Sequence, residues 1–135
     1  MPKKTATHSQ CVFTIKNLPD ISDVRDALAI IESIGARVRF VDTNTVIINT
    51  EGVTLKSPPL ELVGKIRASY YLLGVMLGRF KKAQVGQPGG CDFGNGRPMN
   101  LHIRGFEHLG ATASYGSNAA IVLDAEDGLR GSFIY

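Results

Sequence analysis

The sequence predicts a mixed α/β (α+β) fold built from duplicated units, on three observations. Short β-branched runs alternate with segments of helical apolar spacing. Gly-Ala pairs at 35–36 and 110–111 close two of those helical segments. Finally, IESIGARVRFVDTNTVIIN (31–49) aligns without a gap with FEHLGATASYGSNAAIVLD (106–124). Glu32 falls on Glu107, Gly35-Ala36 on Gly110-Ala111, and Val46-Ile47 on Ile121-Val122. Each copy reads as a helix closed by Gly-Ala and followed by a β-hairpin, a self-similarity with a period of about 75 residues. Such units have one apolar sheet face to cover, so helices are expected on one side of each sheet or inside a ring of sheets.

The elements follow in order. Residues 1–10 are polar and aperiodic and read as a flexible tail, leaving 11–135 as the domain. CVFTI (11–15) has strand composition, which makes Cys11 a core residue. Asn17–Asp20 is a turn. Ser22 is expected to cap a helix whose Val24, Ala27, Leu28, Ile31 and Ile34 follow helical spacing, with Gly35 at its end. Strands are expected at Ala36–Val41 and Thr45–Asn49, around the Asp42–Asn44 turn. After Pro58-Pro59 a long helix is predicted from about Glu61 to Phe80, with Leu62, Ile66, Tyr70, Leu73 and Leu77 as its buried stripe. Its small residues Gly64, Ala68, Gly74 and Gly78 would admit a close neighbouring backbone. Ala83–Val85 is a short strand leading into a glycine-rich loop at 86–96. Pro98 suits the first position of a helix that ends at Leu109-Gly110. Strands near Thr112–Tyr115 and Ala120–Asp124 flank a turn at Gly116–Asn118, and Ser132–Tyr135 reads as a final strand.

Composition excludes several classes. The net charge of +3 rests largely on Lys3, Lys4, Lys81 and Lys82 and offers no continuous basic face for nucleic acid. No apolar run reaches the ~20 residues of a membrane span, and MPKKTATHSQ lacks the apolar stretch of a signal peptide. A cytoplasmic location, without membrane or nucleic-acid partners, is therefore expected. The two cysteines, Cys11 and Cys91, form neither a metal-spaced cluster nor a disulfide framework.

Chemistry gathers in QPGGCDFGNGRPMNLH (87–102). Gly86, Gly89, Gly90, Gly94 and Gly96 give a loop of the kind that folds over a ligand. Arg97-Pro98 marks a helix start, where free amides and the dipole favour an anion, and the Arg97 fork suits phosphate or carboxylate. A thiol near that charge gains thiolate character. Thiol, anion site and lid point to catalysis on a phosphorylated substrate. Taken singly, each residue has an ordinary reading too: Cys91 in a plain loop, Arg97 on the surface, His102 solvated or packed, and Arg67 in a surface salt bridge.

KIRASYYLLGVMLGRF (65–80), QPGGCDFGNGRPMNLHIRGFEHLGA (87–111) and IKNLPDISDV (15–24) together resemble the UDP-N-acetylglucosamine enolpyruvyl transferases (1-carboxyvinyltransferases) of bacterial peptidoglycan synthesis. The resemblance runs from about residue 11 to the end. It implies βαβαββ units of an inside-out α/β barrel with central helices, here about two units, incomplete at both ends. It also implies transfer of enolpyruvate from phosphoenolpyruvate to the 3-hydroxyl of UDP-N-acetylglucosamine, with release of phosphate and no cofactor or metal. By the same resemblance, Cys91 matches the loop cysteine that donates a proton, can hold phosphoenolpyruvate covalently and is alkylated by fosfomycin. Arg67 matches an arginine on the nucleotide sugar. Arg97, Pro98, Met99, Asn100 and Leu101 match the sugar-nucleotide-binding stretch, Arg97 also facing the phosphoenolpyruvate phosphate, and His102 matches the histidine beside it.

Three departures from the family pattern stand out. The loop carries one residue more between Cys91 and Arg97, Asn100 replaces an aspartate, and the Lys-Asn pair and later lysine that also meet substrate have no counterpart. A chain of this extent is expected to turn over little alone, because closure of two domains supplies much of such a rate. It is also expected to be marginally stable, to self-associate or to pair with the remainder of an enzyme. The competing function is a non-catalytic remnant that binds UDP-sugars.

Overall fold

The computed structural model describes residues 12–87 and 99–133. Contacts divide the chain into two compact units, residues 1–54 and 55–135.

The first unit contains β1 (Val12–Ile15), α1 (Ser22–Ser33), β2 (Arg37–Asp42) and β3 (Thr45–Asn49). The sheet order is β1-β3-β2, with β3 antiparallel to both neighbours. Alternation along β3 puts Val46 and Ile48 on the face that α1 covers, where they form a core with Leu28 and Ala36. The predicted Ser22 cap is not formed. Ile21 holds the extended N-cap position (φ −121°, ψ 157°), and no side chain caps the helix. Ser22 is already the first helical residue, and its hydroxyl lies 3.5 Å from the Asp23 carboxylate instead. The C-terminus forms as predicted: Gly35 has φ +111°. Its N–H donates to Glu32 C=O at 3.0 Å, and the Ala36 N–H donates to Ile31 C=O at 3.1 Å, a Schellman closure.

The second unit contains α2 (Leu60–Val63), a 3₁₀ turn (Arg67–Tyr70), α3 (Tyr71–Phe80), β4 (Lys82–Val85), α4 (Asn100–His108), β5 (Thr112–Tyr115) and β6 (Ile121–Asp124). Its sheet order is β4-β6-β5, again with an antiparallel centre. Leu73, Met76 and Leu77 of α3 are buried with Ala83, Val85, Ile121 and Leu123 of the sheet.

The predicted helix from 61 to 80 is corrected to three pieces. Ile66 is extended (φ −131°, ψ 143°) and interrupts the chain between α2 and the 3₁₀ turn. The buried Ser69 hydroxyl is placed to donate to the carbonyls of Ile66 (2.8 Å) and Val63 (3.2 Å). That side-chain bonding offers the backbone an alternative to the α-helical ladder. No second backbone approaches at Gly74 or Gly78: a Cβ on Gly74 would meet only the Phe106 ring at 3.7 Å, and one on Gly78 would meet nothing within 4 Å. The expected turn at 116–118 is a 3₁₀ turn at Ser117–Ala119 with Asn118 and Ala119 at φ 55°. Residues 131–133 form no strand, which corrects that part of the expected Ser132–Tyr135 strand; the last two residues lie outside the described residues, as do the 1–10 tail and Cys11.

The repeat is written in the strand register. Arg37 pairs with Asn49 and Phe40 with Val46; 75 residues on, Thr112 pairs with Asp124 and Tyr115 with Ile121. The helix closure recurs too, with Gly110 at φ +97° and its N–H donating to Glu107 C=O at 2.9 Å. The copies diverge between first strand and helix: residues 16–21 join β1 to α1, whereas 86–99 join β4 to α4. The longer connection is the stretch of sequence that contains Cys91 and Arg97. Among the described residues no helix is long and apolar enough to cross a membrane.

Candidate functional site

A cleft of about 340 Å³ opens in the second unit, lined by Arg67, Ala68, Tyr70, Tyr71, Gly74, Met99, His102 and Phe106. Two segments far apart in sequence build it, and local geometry explains each contribution. In a 3₁₀ turn, side chains at i and i+3 eclipse, so Arg67 and Tyr70 leave the turn on the same side. On and just before α4, Met99, His102 and Phe106 stand at i, i+3 and i+7, one face of a helix. The buried Ser69 anchors the turn from behind.

The aromatic and cationic groups are in mutual contact. The Arg67 guanidinium carbon lies 5.4 Å from the Tyr70 ring centroid, within cation–π range. The His102 ring stacks on Tyr70 with centroids 6.0 Å apart and planes inclined by 28°. Burial pushes the Tyr70 phenol above its ordinary pKa, and the nearby Arg67 charge opposes part of that rise. Among the described residues Arg67 makes no ion pair with a carboxylate, and no carboxylate lines the cleft. The wall therefore presents a cation and several aromatic faces, a combination that suits an anionic ligand carrying a ring. Among the described residues no His, Cys, Asp or Glu cluster gathers that would hold a metal ion.

Of the residues singled out in the sequence, Arg67, Met99 and His102 come together in this cleft. Asn100 and Leu101 occupy the first turn of α4 and do not line it; Leu101 is exposed. Cys91, Arg97 and Pro98 lie outside the described residues. Sequence reasoning missed Tyr70, Tyr71 and Phe106 as lining residues. It counted Tyr70 in a buried helical stripe, and the signal for Phe106 was its spacing from Met99 and His102.

Fold and cleft thus define a duplicated α/β domain whose second unit carries a cleft lined by a cation and aromatic rings. The family model described as EPSP synthase (3-phosphoshikimate 1-carboxyvinyltransferase) matches residues 5–131, and the chain belongs to that family. It is 51% identical over 122 residues to UDP-N-acetylglucosamine 1-carboxyvinyltransferase 2 of Geobacillus kaustophilus, covering 90% of this chain and 28% of that protein. It is 44% identical over 124 residues to UDP-N-acetylglucosamine 1-carboxyvinyltransferase of Streptococcus pneumoniae, covering 92% and 29%. The chain therefore spans little more than a quarter of the length of these relatives. Its fold is similar to that of the enolpyruvyl transferase NikO from Streptomyces tendae, with a TM-score of 0.71 at 21% identity over 90% of this chain and 26% of that one.

Proposed function

We propose that this chain contributes the sugar-nucleotide cleft and the cysteine loop of a cytoplasmic enzyme of peptidoglycan synthesis. The enzyme moves the enolpyruvyl group of phosphoenolpyruvate to the 3-hydroxyl of UDP-N-acetylglucosamine and releases phosphate. One observation carries the reading. Arg67, from the RAS segment, and Met99 and His102, from the RP-x-x-LH segment, line one cleft although residues 70–96 separate the segments. In this reading Arg67 holds the anionic portion of the nucleotide sugar through charge-assisted hydrogen bonds. The stretch 97–101 holds the remainder, His102 stands beside it, and Cys91 supplies the proton to phosphoenolpyruvate.

The acceptor is the point to test, because the matched family is described by 3-phosphoshikimate and the relatives by UDP-N-acetylglucosamine. Calorimetric titration of the chain with each compound separates them: saturable binding of UDP-N-acetylglucosamine and none of shikimate 3-phosphate is expected, and the reverse contradicts the proposal. Fosfomycin labelling of Cys91, abolished in Cys91→Ala, supports the catalytic reading. The second reading, a binding module without catalysis, rests on the same cleft, whose described lining offers a cation and aromatic rings to hold a ligand. It predicts the same binding with a Cys91 that fosfomycin leaves unmodified.

A further inference from the structure

We propose that Tyr70 is a positioning residue of the cleft, its ring the shared platform that sets the Arg67 guanidinium and the His102 imidazole on one wall. The inference rests on the functional reading above only for the identity of the ligand; the platform itself rests on geometry. Arg67 sits 5.4 Å from the Tyr70 centroid and His102 stacks on the same ring at 6.0 Å. No other described residue makes a ring contact with both. Tyr70 links the turn to α4, two elements that the chain joins through α3, β4 and the connection at 86–99.

The placement of Tyr70 is itself well determined. It is the last residue of the 3₁₀ turn and runs directly into α3, whose Leu72, Leu73, Met76 and Leu77 are buried. The preceding Ser69 is 2% exposed, and its hydroxyl is bonded to the carbonyls of Val63 and Ile66, which precede the turn. The backbone of Tyr70 therefore cannot shift without unpacking α3, and the partly buried ring is carried on that fixed point. Arginine and histidine side chains have several rotamers and lose entropy when a ligand orders them. A fixed aromatic face that holds both in advance reduces that loss, so the platform acts through Arg67 and His102 and need not touch the ligand.

The test uses the 135-residue chain. In the unmodified protein, nuclear Overhauser contacts between the ring protons of Tyr70 and His102 are expected; their absence in a folded sample overturns the inference whatever the cleft binds. Tyr70→Leu is expected to release the ring-current shift of the His102 protons and to weaken UDP-N-acetylglucosamine binding by about fivefold to tenfold. Tyr70→Phe retains the face and is expected to restore both to within about twofold. An unchanged His102 signal in a folded Tyr70→Leu protein, or a Tyr70→Phe defect as large as that of Tyr70→Leu, overturns it. A wild-type chain that shows the Tyr70–His102 contact but takes up no UDP-N-acetylglucosamine contradicts the functional proposal instead and leaves the platform standing.

Discussion

The Ala36 N–H donates to the Ile31 carbonyl at 3.1 Å, and 75 residues later the Ala111 N–H donates to the Phe106 carbonyl at 3.0 Å. Both closures need a glycine in the left-handed region, Gly35 at φ +111° and Gly110 at φ +97°. Their surroundings differ. A Cβ on Gly35 would overlap the Gly52 carbonyl oxygen, which is backbone, whereas the nearest atom to one on Gly110 is the Gly128 oxygen at 3.7 Å. Gly110→Ala is therefore expected to cost about 1–2 kcal/mol of backbone strain, and Gly35→Ala clearly more. Denaturant titration of both variants checks the order; equal losses would contradict it.

Removing the Ser69 hydroxyl takes away the donor shared by the Val63 and Ile66 carbonyls in a buried site. Ser69→Ala is expected to cost about 1–3 kcal/mol. Because the same bonds set the turn that carries Arg67 and Tyr70, the variant should also lose ligand affinity while its overall circular dichroism stays native. A variant with unchanged stability would show that the turn is held by packing alone.

Tyr70 gives the fold a pH dependence at the alkaline end. Its phenol is raised above the ordinary tyrosine value by burial, partly offset by Arg67, so the folded chain holds that proton more tightly than the unfolded chain. The associated stability is complete below the unfolded pKa of about 10 and is lost as pH rises through the folded value. Stability of wild type and Tyr70→Phe, measured between pH 8 and the alkaline limit, should differ in slope only above about pH 10. Parallel curves would remove Tyr70 from the titration.

Apolar surface remains on the first sheet. Phe13 pairs with Ile48 and Phe40 with Val46, which places these side chains on the face that α1 covers, yet Phe13 is 51% and Phe40 54% exposed. Apolar surface of this kind favours association. The thermal midpoint of the chain is expected to rise with protein concentration. A sharp transition of a monomer at one temperature across a hundredfold dilution would contradict this.

Much of the fold was legible because it depends on local signals. The strands Thr45–Asn49 and Thr112–Tyr115 were read from short runs set off by turn residues, and the two Gly-Ala closures mark the helix ends. The broken segment 60–80 was not legible, since Leu62, Ile66, Tyr70, Leu73 and Leu77 keep helical spacing straight across the break. What interrupts it is the side-chain hydrogen bonding of Ser69, a contact that periodicity does not encode. The same break hid half of the cleft. Arg67 was singled out by its motif, but Tyr70 looked like core until the 3₁₀ turn placed it beside Arg67. Met99 and His102 were legible from their motif, and Phe106 only from its position on the same helical face.

We propose that the cleft between the Arg67–Tyr70 turn and α4 receives the nucleotide sugar. The direct measurement is titration of the isotopically labelled chain with UDP-N-acetylglucosamine, following backbone and ring resonances. Saturable shifts should concentrate at Arg67–Gly74 and Met99–Phe106, and Arg67→Ala should weaken them by about tenfold or more, as expected for loss of a charge-assisted hydrogen bond. Shifts that fall elsewhere, or that saturate identically in Arg67→Ala, would contradict the claim.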